Sequence, residues 1–157
     1  MTIRALILWV HVLCGVVWVG VCATFILAAA ALAGEPNESY AFAIRSVPRI
    51  NRLCAPLAIA IPITGIGNLL FATQAHGSVL PAEFLGILLA KVGLLAIMVL
   101  GLLRAWRAAA VILEKPSAMG VNELRCEFNI RQIIALYGLI VGAGIAALGL
   151  GLWLSGI

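Results

Sequence analysis

Charged residues are scarce in this chain. Lysine, arginine, aspartate and glutamate make up 10% of its 157 residues, against about 25% in an average soluble domain. No basic run with interleaved aromatic residues occurs, so the net charge of +4 does not indicate DNA or RNA binding. Instead, 64% of the residues are hydrophobic and the mean hydropathy is +1.19. This composition predicts an integral membrane protein.

Cysteine is also rare, and its spacing excludes the common cysteine motifs. The four cysteines are Cys14, Cys22, Cys54 and Cys126, all in or beside apolar segments and none in a CxxC pair. The sequence therefore predicts no structural disulfide. Because free cysteine is often buried, each is expected to behave as a small hydrophobic side chain.

Long apolar runs take up most of the chain. Runs of at least about 18 residues qualify as membrane spans, and four can be drawn at about 5–33, 50–72, 82–106 and 129–155. The segments between them are too short for a separate soluble domain. The sequence thus predicts an all-α, multi-pass protein in contact with the lipid bilayer, with residues 1–157 forming one four-helix bundle.

Positive charges lie almost entirely on one side of this predicted bundle. The first and third connections hold Arg45, Arg49, Arg52, Arg104, Arg107, Lys115, Arg125 and Arg131, whereas the opposite side has only Arg4. Because cytoplasmic loops carry the excess of lysine and arginine, both termini and the 73–81 loop are expected on the non-cytoplasmic side of a bacterial-type inner membrane. We call the half of the bundle that carries both termini the terminal half, and we expect it to be the outer half.

Two ionisable residues inside the predicted spans lie at the same depth. His11 is about 12 Å, and Lys91 about 13 Å, from the terminal ends of their helices at 1.5 Å per residue. Ionisable residues within membrane spans are costly and usually functional. His11 is a candidate metal ligand, and Lys91 a candidate second ligand, proton donor or catalytic residue.

The helix face through His11 also carries residues that suit a flat, acidic ligand. Arg4 precedes His11 at i−7, and Gly15 and Trp18 follow it at i+4 and i+7. Haem b fits this stripe, with His11 on iron, Gly15 under the ring, Trp18 at an edge and Arg4 near a propionate. Asn68, near the same end of the second span, is expected to form part of the pocket wall.

A second axial ligand is not evident from the sequence. His76 is the other histidine, but it lies in the predicted outer loop. Met98 is about 10 Å deeper than Lys91, which argues against His/Met ligation. One-sided ligation, or Lys91 as the sixth ligand or as a proton donor, remains open.

Other interpretations of these residues are possible. His11 could hydrogen-bond a neighbouring helix while Lys91 extends towards the membrane surface. Copper is the competing metal, with a copper uptake or resistance function, although the methionines and cysteines are scattered in sequence.

A structural role in a membrane complex is the third interpretation. Gly138, Gly142 and Ala146 repeat at four-residue spacing in the last span. Small residues at this spacing allow close helix packing, either inside the bundle or against a second copy or a partner subunit.

The motifs of the first three spans resemble a known group of four-helix membrane proteins, the copper-resistance protein D family and the HemJ-type protoporphyrinogen IX oxidases. The similar positions are His11-x6-Trp18-x-Gly20, then Arg52-Leu53, Pro56, Gly65 and Leu69-Leu70, and then Lys91 before an apolar run. The resemblance covers about residues 5–105. It implies a b-type haem held by His11, a functional requirement for Lys91, and a redox function such as the oxidation of protoporphyrinogen IX.

Overall fold

The computed structural model describes residues 2–32, 34–75, 81–113 and 122–155. Within these ranges the chain forms four α-helices: α1 (Ile3–Ala31), α2 (Pro36–Ala75), α3 (Ala82–Leu113) and α4 (Asn122–Ser155). Each contains a segment long and apolar enough to cross a membrane: Ile3–Ala31, Ala41–Gln74, Ala82–Ala110 and Ile130–Trp153. The prediction of four apolar helices is therefore confirmed.

The second helix differs most from its predicted span, because it begins at Pro36 and not near residue 50. Proline suits the first turn of a helix, because a backbone N–H there would have no partner within the helix. The negative charge of Glu38 in the same turn interacts favourably with the positive end of the helix dipole. Hydropathy marks where a helix becomes apolar and not where it begins. Arg45, Arg49 and Arg52, assigned to a connection from the sequence, consequently lie within α2.

Three prolines lie inside α2 without ending it. Pro48, Pro56 and Pro62 are all internal to one helix of 40 residues. Each proline removes one backbone hydrogen bond. Membrane helices tolerate this loss because neighbouring groups can satisfy the freed carbonyl.

The four helices form a ring, and each helix packs against the two helices beside it in the ring. α1 packs against α2 and α4, and α3 packs against α2 and α4. Across the ring, α2 touches α4, whereas the described residues of α1 and α3 make no contact. Contacts such as Ile7 with Gly67 and Lys91 with Gly151 join early residues of one helix to late residues of the next. Neighbouring helices are therefore antiparallel.

Two glycines allow the closest helix approaches. A side chain at Gly144 of α4 would overlap Val19 of α1, and a β-carbon at Gly101 of α3 would lie 3.0 Å from Cγ1 of Ile140. By contrast, a β-carbon at Gly138 or Gly142 would meet no atom within 4 Å. The small-residue stripe seen in the sequence thus lies on an exposed face of α4, and Gly144 performs the packing inside the bundle.

The outer surface of the bundle is apolar. Large hydrophobic side chains are exposed on every helix, for example Leu27 at 71%, Leu89 at 72% and Trp153 at 79%. A water-soluble protein rarely exposes apolar area on this scale. The surface is suited to contact with lipid.

Candidate functional site

His11 is held against α2 by its Nδ1 atom. This nitrogen lies 2.9 Å from Oγ1 of Thr64 and 3.1 Å from the carbonyl oxygen of Ile61. A β-carbon at Gly65 would lie 3.4 Å from Cε1 of the imidazole, so the ring packs directly on the backbone of α2. The imidazole is half-buried and fixed at two points.

These contacts determine which nitrogen of His11 carries the proton. A carbonyl oxygen can only accept a hydrogen bond, so Nδ1–H must donate to Ile61. The Thr64 hydroxyl donates to the carbonyl of Ala60, 2.7 Å away, which leaves its oxygen free to accept from His11. In neutral imidazole Nε2 then has no proton. Its lone pair is available to a metal, as in histidines oriented by a carbonyl on the other ring nitrogen.

Lys91 of α3 packs against α4. Its Nζ atom lies 3.2 Å from the position that a β-carbon on Gly151 of α4 would occupy. The side chain is half-buried, and no carboxylate among the described residues contributes to its electrostatic environment. Lys91 is thus an ionisable residue within an apolar segment, and its amine packs on the backbone of α4 at Gly151.

His11 and Lys91 lie on helices that are diagonal to each other in the bundle. They belong to α1 and α3, the diagonal pair of helices that do not touch. The two side chains are nevertheless close enough to interact electrostatically. The equal depth of the two residues stays a prediction from the sequence.

The other four predicted site residues do not all gather around His11. A β-carbon at Gly15 would lie 3.6 Å from Cδ2 of Leu148, which places Gly15 against α4. Trp18 is fully buried in the hydrophobic core. Arg4 is exposed and Asn68 is half-buried, both in the terminal half.

His11 has the chemistry of a haem-iron ligand, but the residues predicted to contact the porphyrin ring do not lie together beside it. His11 offers an unprotonated nitrogen, and Gly65 leaves room beside the imidazole. However, Gly15 and Trp18 contact α4 and the core. The two cavities described next to α1 are lined by neither His11 nor Lys91. The fit is therefore to the axial ligand and not to the porphyrin contacts named from the sequence.

A second group of polar residues lies deeper in the bundle, and the sequence did not indicate it. This core polar cluster consists of Trp18, Cys22, Asn51, Cys54 and Tyr137, all buried. The Tyr137 hydroxyl donates a 3.0 Å hydrogen bond to Oδ1 of Asn51. Phe25 packs on Tyr137 with ring centroids 4.7 Å apart. The sequence does show a tyrosine and an asparagine within apolar spans, which is unusual enough to mark them. Their pairing, however, depends on the register between α2 and α4.

Two donors in the core polar cluster lack a partner. Nε1 of Trp18 and Nδ2 of Asn51 are buried, and neither makes a hydrogen bond with any described residue. The Cys22 sulfur lies beside Trp18, but it is a weak acceptor and the geometry falls short of a hydrogen bond. Unpaired buried donors are uncommon in native proteins.

The cluster also brings two thiols together. Cys22 of α1 and Cys54 of α2 are both fully buried, and their side chains interact directly. Cys14 is half-buried, and these three cysteines are not in disulfides. Within the described ranges, no three side chains of histidine, cysteine, aspartate or glutamate converge as a metal site would require. His76 and the side chain of Cys126 lie outside what the structure describes.

Comparisons with models of known protein families, with curated proteins and with solved structures give no match to this chain. The geometry of His11 and Lys91 is therefore the ground for a functional proposal.

Proposed function

We propose that this chain is a membrane redox protein that binds haem b through Nε2 of His11 in the terminal half of the bundle. The observation that carries the proposal is the Nδ1 contact with the Ile61 carbonyl, because it leaves Nε2 as a lone-pair donor. Thr64 acts as a positioning residue that fixes the plane of the ring. We further propose that the terminal half faces away from the cytoplasm of a bacterial-type cell, as the arginine distribution indicates.

Each candidate residue would have a separate role in haem binding and electron transfer. When bound, haem iron supplies one-electron transfer. His11 would hold it, and half-buried Lys91, on the diagonal helix, would serve either as a second ligand once deprotonated or as a proton donor. Arg4 and Asn68 lie in the terminal half, where they would meet propionate groups. The enzymatic form of the proposal, oxidation of a porphyrinogen, rests on the resemblance at His11 and Lys91.

An absorption spectrum of the detergent-solubilised protein tests haem binding. After expression with ample haem, the wild-type protein should show a Soret band, and His11→Ala should lose it. His76→Ala is the matched control, because it removes the other histidine and should keep the band. A wild-type protein without the band, or a His11→Ala variant that retains it, would overturn the proposal.

The two roles open to Lys91 give different results. If Lys91 is the second ligand, Lys91→Met should shift the Soret and visible bands of the oxidised protein. If it donates a proton, the same variant should keep the spectrum and lose substrate oxidation. Lys91→Arg separates the roles further, since arginine keeps the charge but cannot be deprotonated in proteins to become a ligand.

Handling of a soft metal is the second candidate function, and the structure adds an observation in its favour. The sequence placed the cysteines far apart, whereas the fold brings Cys22 and Cys54 into contact. Paired thiolates suit Cu(I). Under reducing conditions, one bound Cu(I) that is lost in Cys22→Ser and in Cys54→Ser, but kept in Cys14→Ser, would support it. No copper above the level of the Cys22→Ser/Cys54→Ser double variant would exclude it.

A further inference from the structure

A groove runs between α1 and α2 on the side of the bundle that faces lipid. Its apolar part has a volume of about 570 Å³ and extends from Val17 to Ala28 on α1 and from Phe42 to Leu53 on α2. At 1.5 Å per residue the α1 side is about 16 Å long, close to half of the roughly 30 Å hydrocarbon core. The groove thus has the length of one leaflet.

Apart from Ser46 and Arg49 on α2, the side chains that line this part of the groove are apolar, with Thr24 as the exception on α1. Gly20 opens the floor of the groove, since a β-carbon there would meet no atom within 4 Å. The hydroxyl of Thr24, the polar side chain on its α1 side, is satisfied by a 2.8 Å hydrogen bond to the Gly20 carbonyl. A hydrocarbon chain is the matching occupant of such a surface.

The groove becomes polar in one direction only, away from the terminal half. A second cavity of about 490 Å³ adjoins the first and shares Phe42, Ser46 and Arg49 with it. It adds Glu38 and Arg45. Because α1 descends and α2 ascends through this region, the charged cavity lies at the end of the groove farthest from the bilayer centre. Tail and headgroup regions therefore follow each other in the order found in a phospholipid.

The charges in the second cavity are not used within the described part of the protein. Arg45 and Arg49 are one helical turn apart, so both guanidinium groups can reach one phosphate. Glu38 also lines this cavity, yet no ion pair joins it to either arginine within the described ranges. A ligand with one phosphate and one amine would complement all three side chains.

We propose that this groove binds a phosphatidylethanolamine-type lipid, with an acyl chain between α1 and α2, the phosphate on Arg45 and Arg49, and the ammonium on Glu38. The site differs from that of His11, which lies in the other half of the bundle, and it does not depend on haem binding. A bound aminophospholipid would cover the exposed seam between the two helices.

Lipid binding can be measured on the full chain by native mass spectrometry. The delipidated protein is exchanged with an equimolar mixture of phosphatidylethanolamine, phosphatidylglycerol and phosphatidylcholine that carry identical acyl chains. Phosphatidylethanolamine should be retained in preference to the other two. Arg45→Gln/Arg49→Gln should lower its retention roughly 30-fold, because both phosphate contacts are lost.

The matched control removes the same number of charges elsewhere. Arg104 and Arg107 are exposed on α3 and lie outside the groove, so Arg104→Gln/Arg107→Gln should leave retention unchanged. Glu38→Gln should abolish the preference over phosphatidylglycerol while keeping phosphate-dependent binding. Equal losses in the two arginine pairs, or a wild-type preference for phosphatidylglycerol, would overturn the proposal.

Discussion

Removing the Tyr137 hydroxyl should destabilise the bundle in a way that depends on Asn51. The two side chains are 0% and 4% exposed, so water cannot replace their 3.0 Å hydrogen bond. Leaving a buried polar group without its partner costs about 1–3 kcal/mol, whereas hydrogen bonds inside membrane proteins average ~0.6 and reach ~1.7 kcal/mol. We expect Tyr137→Phe to lower the free energy of unfolding by about 1–2 kcal/mol, or roughly 5- to 30-fold in the unfolding equilibrium.

The reason for this value is that Tyr137→Phe leaves the whole Asn51 amide unpaired. Nδ2 of Asn51 already lacks a partner among the described residues, and the substitution strands Oδ1 as well. Asn51→Leu should cost less, because it removes the unpaired Nδ2 and strands only the tyrosine hydroxyl. The double variant Asn51→Leu/Tyr137→Phe strands neither group, so it should be more stable than the sum of the single effects predicts.

Unfolding in mixed micelles of increasing SDS fraction provides the assay. The rate at which the buried thiol of Cys22 reacts with a maleimide reports the unfolded fraction, since this side chain is fully buried in the folded state. The four proteins form a double-mutant cycle. Strictly additive effects, or a Tyr137→Phe variant as stable as the wild type, would refute the pairing of α2 with α4 through this hydrogen bond.

Three further outcomes follow from the packing. Gly144→Leu should lower stability by about 1–3 kcal/mol through overpacking at the α1–α4 contact, while Gly142→Leu on the exposed face should change it by less than about 0.5 kcal/mol in the same SDS titration. In folded protein, peptide mapping after brief treatment with a small alkylating agent should find Cys14 modified before Cys22, because only Cys14 is partly exposed. Thr64→Val should keep the proposed Soret band but broaden the low-temperature electron paramagnetic resonance signal, because the imidazole loses one of its two anchors; an unchanged signal would contradict the positioning role.

The four helices were predictable because length and apolarity alone determine a membrane-crossing segment. The beginning of α2 was not, because residues 36–49 carry Glu38, Arg45 and Arg49, so the apolar run drawn from the sequence starts only at about residue 50. Helix formation there follows from a favourable first turn and continuity with an apolar helix. Hydropathy measures neither property.

The depth of the site could be counted along the sequence, whereas the rotation of its residues about the helix axes could not. Counting residues placed His11 and Lys91 at one level, and the fold brings them within electrostatic range. The i+4 position, however, is turned by about 40° from residue i at 3.6 residues per turn. Because α1 touches both α2 and α4, this rotation directs His11 to α2 and Gly15 to α4. Residues predicted to share one face of α1 therefore contact two different helices.

Contacts between helices escaped prediction for a related reason. Cys22 and Cys54 are separated by a whole connection, and their contact depends on how far α1 and α2 slide past each other. The hydrogen bond from Tyr137 to Asn51 likewise joins residues 86 positions apart. A single sequence contains the residue types for both contacts but not the register that makes them meet.

The division of His11 and Lys91 between two hairpins separates the alignment of each residue from the interaction between them. The α1–α2 hairpin contains both hydrogen bonds that orient the imidazole among the described residues, and the α3–α4 hairpin contains the backbone on which the Lys91 amine rests. The first hairpin can therefore align its histidine without any contribution from the second hairpin. His11 and Lys91 can influence each other only when the two hairpins pack together, because each hairpin by itself contains one of the two residues.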